Sequence, residues 1–182
     1  RRTEELMAEH NANIHRGVHY LSQKGTDAYE KARKTIQTYI NAAHEHEIIF
    51  TKGTTDGINL VASCFGELIH EGDEIIISAI EHHSNIVPWQ MLCERKKAVL
   101  KVIPVLESGE LDQEAYRALL NEKTKLVSCT HISNSLGTIN TVKEMIQQAH
   151  AVGANFLVDG AQSIKHLSID VQDLDCDFFA FS

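Results

Sequence analysis

Apolar positions along the chain recur with two alternating periods. In residues 26–43, TDAYEKARKTIQTYINAA, the residues Ala28, Ala32, Ile36 and Tyr39 are helically spaced behind a Thr-Asp start, which predicts an amphipathic helix. Short β-rich runs follow at 47–51 (EIIFT), 74–79 (EIIISA), 99–105, 125–130 (KLVSCT), 155–158 (NFLV) and 177–181 (DFFAF). Most are separated by helix-length stretches at 56–69, 88–97, 112–121 and 142–152, each with apolar residues at i, i+3 or i+4. This alternation predicts an α/β fold with a mostly parallel sheet covered on both faces. Residues 1–45 contain no strand and read as an N-terminal helical segment packed on a domain formed by 46–182.

Composition narrows the class. A chain of 182 residues with 43% hydrophobic and 23% charged residues and 2 Pro is that of a folded domain, not a disordered or low-complexity segment. Seventeen basic residues against 25 acidic ones give a net charge of −8, which disfavours a dedicated binder of nucleic acid or anionic membrane. The apolar runs are of strand length, with neither a spanning segment nor a signal-peptide core, so the sequence reads as cytoplasmic. Cys64, Cys93, Cys129 and Cys176 form no CxxC pair and are read as reduced thiols. The chain opens Arg1-Arg2 and stops on the apolar run ending at Phe181-Ser182, and it is therefore read as a fragment.

In open α/β sheets ligands sit beyond the carboxyl ends of the strands. Gly53-Thr54-Thr55, Glu81-His82-His83, Ser133-Asn134, Asp159-Gly160-Ala161-Gln162 and Ser182 all follow predicted strands and so share one rim. Gly53-Thr54-Thr55 at a helix start suits a phosphate, although no Walker or dinucleotide glycine pattern is present; the plainer alternative is that a Thr caps the helix. Asp159 is placed to pair with a ring nitrogen that must stay protonated, or to cap the next turn. Adjacent histidines on extended chain point opposite ways, so at most one of His82 and His83 faces the rim, where an imidazole can stack on a ring and move protons. No metal-ligand spacing accompanies the 11 histidines, and Asp173, Asp175 and Asp177 form a solvated acidic turn, since Phe178 replaces the glycine of a calcium loop.

Taken together, GTTDGINLVA, EHHSNIVPWQ, HISNSLGTIN, VDGAQS and DVQDLDCDFFAFS resemble the pyridoxal-phosphate cysteine desulfurases of class V of the aminotransferase superfamily, in the Suf-type branch that includes selenocysteine lyases. The resemblance runs from about Asn11 to Ser182 and implies the type I fold of pyridoxal 5'-phosphate enzymes: a three-layer α/β/α large domain, a smaller C-terminal domain and a homodimer. It implies that Thr54, Thr55 and Ser182 meet the cofactor phosphate and that Asp159 pairs with the pyridine nitrogen. His82 would stack on the ring and act catalytically in proton transfer. Gln162 would bond the ring oxygen, and Asn134 would lie near that oxygen and the substrate carboxylate. His15 and Arg16 match a segment that reaches toward the partner subunit's site.

The implied reaction removes sulfur from L-cysteine through an enzyme persulfide, leaves L-alanine and passes sulfur to an acceptor protein for iron-sulfur cluster assembly. In the family, Gly-His-Lys follows the Phe-Ser pair, and that lysine carries the cofactor. The family's lysine, nucleophilic cysteine and carboxylate-binding arginine therefore fall past position 182, Lys165 is not the anchor, and the chain alone is expected to be inactive. A selenocysteine lyase, a nucleotide-binding domain and a non-catalytic α/β partner domain are the alternatives.

Overall fold

The computed structural model describes residues 14, 15 and 20–182, so Arg16 and the resemblance's starting Asn11 lie outside the described residues. The chain forms two compact units, Arg1–Ile49 and Phe50–Ser182.

In the first unit, α1 (Tyr20–Tyr39) starts and ends before the predicted 26–43. Thr26 is inside the helix rather than at its cap: its hydroxyl donates to Ser22 O at 2.9 Å and accepts from His15 N at 3.0 Å. The buried side is also displaced. Ser22 and Gly25 are buried and Tyr29, Arg33 and Ile36 half-buried, whereas Ala28, Ala32 and Tyr39 face outward. Alanine favours a helix without needing burial, so the alanines of the pattern marked the helix but not its inner face. The stem of Arg33 lies along that inner side, with its guanidinium 5.2 Å from the Tyr29 ring centre and its Nη1 donating to Ile48 O. The helix stops where Asn41 turns left-handed at φ 53°.

EIIFT is not a strand. Glu45–Glu47 form a 3-10 turn and residues 48–51 carry no ladder, with Ile49 67% exposed. β-branched residues favour extended backbone, yet a strand exists only where a neighbour completes its hydrogen bonds.

The second unit is a five-stranded, wholly parallel sheet in the order β2-β1-β3-β4-β5, built from β1 (Glu74–Ser78), β2 (Val99–Ile103), β3 (Thr124–Thr130), β4 (Asn155–Asp159) and β5 (Phe178–Ala180). Side chains alternate across it. Ile75, Ile77, Leu126 and Leu157 pack with Ile58 and Ala62 of α2 (Thr54–Cys64) and with Trp89, Leu92 and Cys93 of α3 (Val87–Lys96). Ile76, Val127, Cys129, Phe156 and Val158 pack with Tyr116 of α4 (Gln113–Leu119) and with Met145 and Ile146 of α5 (Val142–Ala151). Helix layers thus cover both faces, giving the three-layer α/β/α arrangement, and each fully buried Ile, Leu or Phe contributes roughly 1.5–3 kcal/mol. Two short helices that the pattern did not reveal, α6 (Ser163–His166) and α7 (Val171–Leu174), join β4 to β5.

The strand order places the ligand crevice. After β1 the chain runs to β2 on one side and then returns to β3 on the other, so the sheet reverses direction between β1 and β3. The segments leaving those two ends begin with Ala79 and His131.

Gly160, just past β4, is packed face-on against β5: a Cβ there would fall 2.3 Å from the Phe179 ring, while one at Gly66 would meet the tip of Leu92 at 2.7 Å. A flexible leucine end yields more readily than a ring within a strand. Gly160→Ala is therefore expected to lower stability by about 1–3 kcal/mol and Gly66→Ala by clearly less. Denaturant unfolding of the two variants tests the order, and an equal or smaller loss for Gly160→Ala would contradict it.

Candidate active site at the carboxyl rim of the sheet

The turn entering α2 does not close on a side-chain cap. Its N-cap is Gly53, at φ 137° in a region that favours glycine, and Thr54 and Thr55 are the first helical residues, so neither performs the capping role. Thr51 and Asp56 brace the turn instead: Thr51 Oγ1 donates to Gly53 O at 3.0 Å, and Asp56 accepts from Lys52 N at 3.0 Å. Thr54 Oγ1 lies 3.2 Å from Ser182 Oγ, just past β5. Because Gly53 lacks a side chain, the space beside Ser182 stays open; a Cβ at 53 would lie 3.9 Å from the serine's own. Hydroxyls around the N-terminus of an 11-residue helix form a donor set suited to a phosphate.

Asp159 closes β4 between Thr130 of β3 and Ala180 of β5. It is 4% exposed, and its Oδ1 accepts from Ala161 N at 3.0 Å, so it does cap the following turn. Burial raises its proton affinity, while the Ala161 bond and the charge of His82 act in the opposite direction. A buried carboxylate within electrostatic reach of an imidazole suits a cationic ring nitrogen.

His82 alone is on extended chain, at φ −69° and ψ 150°, and His83 already belongs to the turn that follows. His82 caps a 3-10 turn (His83–Asn85), and the two exposed rings meet edge to face with centres 6.2 Å apart, so alternation does not separate them. His82 Nδ1 accepts from Ser84 N at 3.2 Å, so the neutral ring holds its proton on Nε2. Asn134 is exposed four residues past β3, in a loop closed by Ser133 N donating to Thr138 O at 2.9 Å. Gln162 is half-buried just before α6, which carries Lys165 exposed on its surface. Thr54 meets Ser182 and His82 acts on Asp159; Thr55, Asn134 and Gln162 occupy the same rim without a direct bond to those pairs.

Sequence reasoning missed the polar cluster beneath His82. Glu81, 8% exposed, accepts from Ser78 Oγ, from Thr130 N at 2.9 Å and from Asn85 Nδ2 at 2.7 Å. Asn85 in turn accepts from Trp89 Nε1 at 2.9 Å and from Ser128 Oγ at 2.6 Å. The available signal was the spacing of Glu81, Asn85 and Trp89 four residues apart, with serines at the ends of EIIIS and within KLVSCT.

The cysteines are poor nucleophiles where they are buried. Burial pushes Cys93 up to about 11, Cys176 up to about 12 and Cys129 well above its ordinary value. Exposed Cys64 ends α2, ten residues from Thr54 and so roughly 15 Å along the axis. Among the described residues no His, Cys, Asp and Glu group could hold a metal ion, and no helix is long and apolar enough to cross a membrane. The acidic stretch is bonded rather than simply solvated: Asp177 accepts from Phe156 N at 2.7 Å and pairs with His150 Nε2 at 3.0 Å.

The sequence matches the family described as Aminotransferase class-V over residues 1–182. A cysteine desulfurase of Pectobacterium carotovorum subsp. carotovorum (strain PC1) is 52% identical over 182 residues, which is 100% of this chain and 45% of that protein. The apo structure of a cysteine desulfurase from Thermococcus onnurineus NA1 superimposes with a TM-score of 0.92 at 41% identity, covering 98% of this chain and 44% of the other. A structure titled SspA in complex with cysteine gives a TM-score of 0.87 at 27% identity over 98% of this chain and 51% of that one. The chain belongs to the class V aminotransferase family, whose members in general depend on pyridoxal phosphate. It spans less than half the length of each of the two cysteine desulfurases described above.

Burial sets one pH dependence. Loss of water raises Glu81 from 4.5 to about 7, outweighing the three donors, with the charge of Asp159 adding to the rise. The folded state then holds a proton that the unfolded state has released, so stability should fall as pH rises from about 5 through 7, by about 3 kcal/mol in total. Unfolding free energies across that range should show the decline in the parent and not in Glu81→Gln. Parallel profiles would contradict the assignment.

Proposed function

We propose that the chain forms the cofactor-binding part of a pyridoxal-phosphate-dependent cysteine desulfurase that acts on L-cysteine through an enzyme persulfide and leaves L-alanine. One observation carries this reading: a hydroxyl-lined helix N-terminus at Thr54 and Ser182 shares a rim with a buried carboxylate at Asp159 that His82 influences. The relatives named cysteine desulfurases and the neighbour titled as a cysteine complex support the substrate. The assignment places the protein in the cytoplasm as a homodimer that passes sulfur to an acceptor protein for iron-sulfur cluster assembly.

Within this reading Thr54, Thr55, Ser182 and the first N–H groups of α2 would hold the phosphate. Asp159 would face the pyridine nitrogen and keep it protonated, Gln162 would bond the ring oxygen, and Asn134 would bond that oxygen and the substrate carboxylate. When bound, the cofactor supplies an electron sink for the pair left behind by the departing α-proton. His82 would stack on the ring, and its Nε2 would move a proton, a role worth typically about 10²–10⁴ in rate. Loss of water keeps the thiols of Cys93, Cys129 and Cys176 protonated, and the resemblance puts the lysine anchor after Phe181-Ser182 rather than at Lys165, so both the attacking cysteine and the anchor are assigned to the longer protein.

In the full-length protein that carries this chain, Asp159→Ala should abolish alanine formation from L-cysteine while cofactor remains attached. Near-normal turnover by the purified variant would remove Asp159 from this role. Replacing Thr54 and Thr55 by Ala should weaken cofactor affinity, since each hydroxyl lost from a charged group costs roughly 1.5–3 kcal/mol. Neither residue caps α2, so the cofactor-free protein should lose only the Thr54–Ser182 bond, about 0.5–1.5 kcal/mol and less than the loss of cofactor affinity. Unchanged affinity with a lowered melting point would reverse the interpretation.

A further inference from the structure

The polar cluster under His82 has a fixed direction. An indole nitrogen only donates, so Trp89 Nε1 fixes the oxygen of the Asn85 amide toward itself, where Ser128 Oγ also donates. The amide nitrogen must then point at Glu81, and it donates to Oε2 at 2.7 Å. Oε1 takes Thr130 N at 2.9 Å together with the hydroxyl of Ser78. All three partners donate to the ionised carboxylate, so in that form position 81 accepts at both oxygens.

Those partners lie on separate elements. Ser78 ends β1, Thr130 ends β3, and Asn85 belongs to the 3-10 turn, whose N–H donates to His82 O at 2.8 Å. Thr130 is also the register partner of Asp159, and the next residue, His131, donates its N–H to Asp159 O at 3.0 Å. One side chain therefore connects the residue before His82 to the strand beside Asp159.

We propose that Glu81 is the positioning residue for His82, its two acceptor oxygens locking the turn after β1 onto β3 and thereby fixing the imidazole relative to Asp159. Its catalytic consequence rests on the desulfurase reading; its structural consequence does not. Glu81→Gln keeps the shape but sets one amide nitrogen against another at Asn85. Combining it with Asn85→Asp restores every bond, because the new amide donates and the new carboxylate accepts from it, from Trp89 and from Ser128. The pair leaves one carboxylate in the cluster but moves it by one turn.

The test uses the full-length protein at about pH 8, where Glu81 is ionised. Glu81→Gln should lower kcat about tenfold or more with KM for L-cysteine changed by less than about threefold, and the pair should recover to within about threefold of the parent. With His82→Ala already in place, Glu81→Gln should lower kcat no further, as expected of a residue that acts through another. In the cofactor-free protein labelled at histidine, the His82 imidazole signals, identified by their loss in His82→Ala, should shift or broaden in Glu81→Gln and return in the pair. Should Glu81→Gln not fold, Asn85→Ala takes its place, removing one donor and leaving the Ser78 and Thr130 bonds. Unmoved His82 signals in the single variant, an equal loss of kcat with and without His82, or a folded pair as slow as the single variant would each overturn the proposal. Absence of desulfuration in the parent would overturn the desulfurase reading alone, and the histidine signals would still decide the positioning role.

Discussion

Burial of the central strands on both faces governs where this protein can place polar chemistry. Helix layers cover β1, β3 and β4 above and below, so the interior positions of these strands are mostly committed to apolar packing. Polar side chains are accommodated where each strand gives way to a loop, and there they still require partners. Asp159, Thr130 and Ser78 all stand at that boundary. The site is thus a product of the same constraint that builds the core.

At that boundary two carboxylates, Glu81 and Asp159, lie within electrostatic reach of each other. Each is desolvated, and each resists protonation only as far as its donors allow. Glu81 is committed to three protein donors, while Asp159 devotes Oδ1 to a backbone amide. That division separates a group satisfied by the fold from one suited to a ligand.

Strand and helix alternation was legible because the parallel sheet leaves dense apolar runs such as EIIIS and NFLV. EIIFT has the same composition yet no strand forms, since pairing depends on a neighbour that local sequence does not encode. The inner face of α1 was misread for a related reason: Ala28 and Ala32 report helix propensity, whereas Arg33 and Tyr29 line the inner side through long or flat side chains. Thr54, Ser182, Asp159 and His82 were legible as candidates from their place after strands and from resemblance. Glu81 was named only as part of the rim and Asn85 was given no role, because the bonds through which Trp89, Ser128 and Thr130 hold them join elements distant in the sequence.

The hydrogen bond between Thr54 and Ser182 joins residues 128 positions apart. Few contacts in the fold close so large a loop, and closure of this kind is the slow part of assembling a parallel sheet. The helix start that carries Thr54 is local and quick to form, but Ser182 reaches it only once β5 has docked on β4 as the sheet's last edge. The hydroxyl cradle therefore depends on the edge strand β5 as well as on the start of α2, and whatever loosens the β4–β5 pairing also opens the cradle.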